Sequence, residues 1–251
     1  MKKDNVFFTK NVFKIILFVT LAIGCSLLQV AAITIDNTYN LGSTLRLISK
    51  VLIIAGLIIY AMYFVNFKEK KYPLDLRYQA YTLLIIAVNI FVFMKDVNGF
   101  PSFYQCLVSL ADVITSIIIE ELLFRIIAVT TFKSASNSVS PSKIIVISSL
   151  YALYVFLFVL TSLEMWPDYL VQMLYAFFFG FFLLTVYLNT NNIKYTTAIN
   201  AAVKGLILLF SLNGSMQNPN GEVFAAFAML IALLMYASIG FFILKDYRNL
   251  K

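Results

Sequence analysis

The chain has 251 residues, 61% of them hydrophobic and 12% charged, with a mean hydropathy of +0.89 and a formal charge of +7. These values exclude an ordinary soluble globular domain and leave an integral membrane protein. There is no histidine, so imidazole can serve neither as a general base nor as a metal ligand.

A span of about 20 apolar residues is needed to cross a hydrocarbon core of about 30 Å. Polar punctuation divides the chain into eight such runs, at about 12–34, 46–67, 79–94, 103–132, 143–163, 169–188, 195–213 and 222–244. The predicted fold is therefore all-α, a polytopic bundle of eight transmembrane helices forming one transmembrane domain over 1–251. The run from Val12 to Ile33 is longer than a usual signal core and reads as a retained anchor. Within it, "LAIGC" faintly resembles a lipoprotein processing site, with Ala22 standing three before Cys25. Cys25 and Cys106, the two cysteines, fall in or at the edge of spans and read as small buried hydrophobes. Trp166 reads as an interfacial anchor and Gly180 as a point of close helix packing. The connecting pieces "KEKKYPLDLR", "KSASNSVSPSK" and "NGSMQNPNGE" can join helices but cannot make a soluble domain.

The basic residues orient these spans. With both termini in the cytoplasm of a cell-membrane protein, fourteen Lys and Arg residues fall on the inner side and three, Arg46, Lys50 and Lys95, on the outer side. Arg125 and Lys204 fall within spans. The net positive charge follows from this asymmetry and needs no nucleic-acid partner; the implied surroundings are the lipid bilayer and other membrane components.

Ionisable groups inside a span are costly, about 2.5–3.5 kcal/mol each on insertion scales, and mark functional sites. The fourth span holds "IIEELLFR", Ile118 to Arg125, with Glu120, Glu121 and Arg125 in an otherwise apolar run. On a helix, Glu121 and Arg125 share a face, as do Asp112, Ser116 and Glu120. The plainest reading of Glu121 and Arg125 is a buried ion pair that fixes helix register. Asn89 and Asp112 are further intramembrane polar residues without an assigned partner. Tyr151 and Tyr154 are candidate polar contacts in the fifth span.

Taken together, three segments resemble the CAAX protease and bacteriocin-processing family of intramembrane enzymes, also called the abortive-infection family. "EELLFR" is similar to the family's Glu-Glu-x-x-x-Arg motif, "IIVISSLYALYVFLF" to its second motif, and "YAFFFGFFLLTVYLNTNNIKYTTAINAAVKG" to its third. The resemblance covers about 103–212. It implies that Glu120 activates water, that a histidine of the second motif assists, and that a histidine and an asparagine of the third stabilise the oxyanion. By position, Glu120, Glu121 and Arg125 are kept and Tyr151 takes the aromatic place of the second motif. Val155 stands at the first histidine position, Asn200 at the second, and Lys204 at the asparagine position.

Amide hydrolysis needs a proton for the leaving nitrogen and donors for the oxyanion. Valine supplies neither; Asn200 and Lys204 could each offer a donor. The reading that follows is a catalytically inactive CAAX-protease-like protein, a scaffold or regulator of a membrane protein, peptide or cell-envelope partner, or a bacteriocin-immunity protein. The alternative is a divergent glutamate-type protease using Glu120 with Asn200. A transporter is disfavoured because the spans lack repeat symmetry. No cofactor is expected, and no metal, since Glu120, Glu121 and Asn200 make a poor zinc set. Lys204 is expected to pair with Glu120 or Glu121 unless its long side chain snorkels to an interface.

The topology is open to direct test in a background with Cys25 and Cys106 replaced by alanine. A cysteine placed in "KSASNSVSPSK" should be shielded from a membrane-impermeant reagent in intact cells, and one in "NGSMQNPNGE" should react. The reverse pattern would overturn the orientation.

Overall fold

The structure is a computed structural model that describes residues 2–39, 41, 43–64, 76–93, 103–133, 139–159, 166–211 and 219–249. The side chains of Asn89 and Trp166, and most of "KEKKYPLDLR" and "NGSMQNPNGE", lie outside the described residues. Among those described there is no strand, and the helical rods follow the eight predicted runs. They are α1 (Lys2–Tyr39), α2 (Thr44–Phe64), α3 (Leu76–Phe93), α4 (Phe103–Glu120), α6 (Pro141–Val159), α7 (Trp166–Thr190), α8 (Ile193–Ser211) and α9 (Pro219–Asn249). The fourth rod does not end at Glu120. It passes into a π-helical segment, Glu121–Ile127, and then a short α5, Ala128–Phe132.

Among the described residues, three helices are long and apolar enough to cross a membrane, Val12–Tyr39, Thr44–Tyr63 and Leu170–Thr190. Pro141–Leu157 and Leu230–Lys245 are apolar but shorter. Large apolar side chains such as Phe13, Leu52, Met62, Phe241 and Phe242 are more than half exposed, a surface suited to lipid and not to water. The chain is a multi-pass helical membrane protein.

The helices form two compact units, Met1–Lys68 with Ile119–Met173, and Glu69–Ile118 with Leu174–Lys251. In the first, α1 and α2 make an antiparallel hairpin whose corner is built from side chain to backbone. The Asp36 carboxylate accepts from the amides of Leu45 (3.1 Å) and Arg46 (2.7 Å), satisfying two of the orphan donors at the start of α2. Helix α1 also packs on α5 and α6, and α2 on the π-helical segment. Lys143 Nζ donates to the Phe132 carbonyl at 2.9 Å, placing a cation at the C-terminus of α5.

In the second unit, α3 packs on α8 and α9. The turn between α7 and α8 is written in "TNN". Asn191 takes a positive φ of 47°, which asparagine tolerates better than most residues. Asn192 Oδ1 then accepts from the Tyr195 amide at 3.2 Å and caps α8. Tyr236 of α9 is fully buried against Tyr175, Phe179 and Phe182 of α7. Some hydroxyls are satisfied within their own helix, as where Ser148 of α6 and Thr190 of α7 donate to the carbonyls four residues back.

Close approach is required at Gly240 of α9. A Cβ there would lie 2.6 Å from a ring carbon of Phe181, which is itself buried. Gly240→Val should therefore destabilise the detergent-solubilised protein by about 1–3 kcal/mol through overpacking. Thermal unfolding measures it, and Phe181→Leu in the same chain should recover part of the loss.

Candidate active site

The motif-bearing residues divide between the units. Glu120, Glu121, Arg125, Tyr151, Tyr154 and Val155 belong to the first, Asn200 and Lys204 to the second. The first group is assembled by the π-helical segment. Its closing bond runs from the Ala128 amide to the Leu123 carbonyl, five residues back, in place of the four-residue spacing of an α-helix. The wider turn buries Glu121, Leu123, Phe124, Arg125 and Ile127 together, more than one α-helical stripe would cover. The sequence predicted a plain α-helix here. The rod is continuous as expected, but its winding is not, and π-turns are frequent at functional sites.

Glu120 and Glu121 are each 3% exposed and Arg125 1%. Arg125 Nε lies 3.7 Å from Glu121 Oε1, an ion-pair distance but too long for a hydrogen bond. The expected pair thus forms, loosely. The Arg125 Cζ sits 5.2 Å from the centre of the Tyr151 ring, within the reach of a cation–π contact. Its three guanidinium nitrogens are buried without a hydrogen-bond acceptor among the described residues.

Helix α6 supplies the hydroxyls. Tyr151 Oη donates to Glu120 Oε2 at 3.0 Å. Phe124 packs edge-on to Tyr151 at 5.1 Å and to Tyr154 at 5.5 Å between ring centres. Tyr154 Oη in turn accepts from Gln29 Nε2 of α1 at 2.7 Å. Both tyrosines are buried, and so is Gln29. Val155, at the histidine position of the second motif, is only half-buried and brings no polar atom.

On α8, the buried face is Thr196, Ile199, Asn200 and Val203, while Lys204 is partly exposed. Asn200 and Lys204 are each engaged in an interaction of their own. The pairing of Lys204 with a carboxylate concerns the relation between units and stands as an expectation of the sequence. Among the described residues no three Cys, Asp or Glu side chains cluster as a metal set.

One feature of the site was missed in the sequence. Gln29 is an amide in the middle of an apolar span, and intramembrane polarity was the signal that would have found it. Tyr154, named there as a candidate polar contact, is engaged by that amide. Lys50, counted among the outer-side charges, is 0% exposed within α2. Asp36 starts α2 at Thr44, which carries Lys50 nearly two turns into the helix.

Chemically, the first unit holds a carboxylate with a hydroxyl on it, a second carboxylate, and a guanidinium with unmet donors. Residues 102–206 match the family described as Rce1-like, Type II CAAX prenyl endopeptidase Rce1-like. No curated protein and no solved structure matches the chain.

The Gln29–Tyr154 contact gives a clean test of this packing. Tyr154→Phe should cost about 0.5–1.5 kcal/mol, because the buried Gln29 amide loses its 2.7 Å bond and keeps only the 3.3 Å bond to the Cys25 carbonyl. Gln29→Leu combined with Tyr154→Phe should recover much of that loss in the same thermal unfolding measurement.

Proposed function

Since residues 102–206 match the Rce1-like family, we propose that this chain is a retired member of it, a membrane scaffold or regulator that holds a peptide or membrane-protein partner without cleaving it. The observation that carries this reading is the hydrogen bond from Tyr151 to Glu120 at 3.0 Å, in a chain with no histidine. The carboxylate that would activate water is occupied by a buried hydroxyl, and no imidazole is there to pass on a proton. Loss of a general acid or base costs about 10²–10⁴ in rate and loss of an oxyanion donor about 10²–10³. The two deficits together leave no useful peptidase.

The setting we propose is the cell membrane with both termini cytoplasmic, as the Lys and Arg asymmetry indicates. Cell-envelope regulation and bacteriocin immunity are the roles that fit a non-cleaving member of such a family.

A second reading, a divergent protease, is favoured by one feature. Among the described residues the Arg125 nitrogens find no acceptor, and a guanidinium with open donors beside a carboxylate can stabilise an oxyanion. One assay separates the two. Reconstituted protein is incubated with a farnesylated CAAX peptide, and wild type is compared with Glu120→Gln. Equal rates, no higher than empty liposomes, are expected of a scaffold, with a photo-crosslinking analogue of the peptide labelling both proteins alike. Cleavage by wild type that disappears in Glu120→Gln would establish the protease.

A further inference from the structure

Lys50 is a fully buried cation that the motifs do not use. Among the described side chains of α2, the buried ones are Lys50, Ile53 and Leu57, a single stripe at helical spacing. Helix α2 packs mainly on α1 and on the π-helical segment that carries Glu121 and Arg125, so this stripe is where α2 meets them. Register supports the placement. Asp36 binds the amides of Leu45 and Arg46, so in the antiparallel hairpin Lys50 lies within about one turn of the level of Gln29. From Gln29 a chain of contacts leads through Tyr154, Phe124 and Tyr151 to Glu120.

Charge sets the requirement. An ammonium taken out of water needs an anion. Among the described residues of this unit the buried carboxylates are Asp36, Glu120 and Glu121. Asp36 already has one amide on each oxygen. Arg125 Nε approaches Glu121 Oε1 at the long distance of 3.7 Å. Lys50, Glu120 and Glu121 are all engaged rather than free.

We propose that Lys50 is the second cation of the Glu120–Glu121 site, a positioning residue whose ammonium donates to one of the two carboxylates and keeps both ionised. Lys50 and Arg125 then balance Glu120 and Glu121, while Asp36, the third buried carboxylate of the unit, is held by the amides of Leu45 and Arg46. The inference goes beyond the scaffold reading and does not depend on it, because it concerns the ionisation of the carboxylates and not their use.

The test is the infrared carboxyl band of the full-length protein in liposomes at neutral pH. Wild type should show no protonated-carboxyl band. Lys50→Met should gain one carboxyl's worth, Lys50→Arg should not, and the gained band should vanish in Lys50→Met combined with Glu120→Gln or with Glu121→Gln. A merely space-filling lysine would leave the band absent throughout. No new band in Lys50→Met, or a band removed only by Asp36→Asn, overturns the proposal. If Lys50→Met does not accumulate, membrane levels read the same question. Recovery with Glu120→Gln or Glu121→Gln supports the pairing; recovery only with Asp36→Asn, or with none of the three, sinks it. None of these outcomes depends on whether a peptide is cleaved.

Discussion

Two adjacent carboxylates buried in an apolar rod are the constraint around which the first unit is arranged. In water Glu120 and Glu121 would cost little; removed from it, each needs a hydrogen-bond donor or a cation at hand. The unit supplies them from two elements, Arg125 from the π-helical segment and Tyr151 from α6, and the Tyr154–Gln29 contact fastens α6 back to α1. Phe124 fills the space between the two tyrosines. Polar and apolar contacts therefore alternate through one cluster, and neither kind would be stable there without the other.

The same economy governs the rest of the chain. Many Ser and Thr hydroxyls within helices bond to the carbonyl a turn back, and several helix ends are closed by a side chain. Asp36, Lys143 and Asn192 do this at three of the corners. In a bilayer these are local means of satisfying a backbone that water cannot reach.

Much of this was legible in the residues. Apolar run length alone places eight rods, and the fourth, 103–132, is matched end to end by Phe103–Phe132. Helices α1 and α9 run past the predicted ends, because hydropathy marks where lipid is tolerated and not where hydrogen bonding stops. Glu120, Glu121 and Arg125 stood out because charge in an apolar run is rare. Lys50 did not, since a cation near a span's edge looks like an interfacial one until the helix start is known. Gly240, whose partner Phe181 is distant in sequence, makes a steric demand that no local pattern announces. The π-winding had no signal at all: one residue's worth of extra backbone leaves no trace in composition or periodicity.

That extra residue has a consequence for how such chains change over time. An α-helix advances about 100° per residue, so the π-turn acts as a phase shifter between the Glu-Glu pair and α5. It lets the carboxylates keep one heading while Phe132, edge-on to Phe18 of α1, keeps another. Deleting a single residue between Glu121 and Ile127 would restore ordinary winding and swing one of those two sets off its partners. The segment is thus intolerant of any change in length.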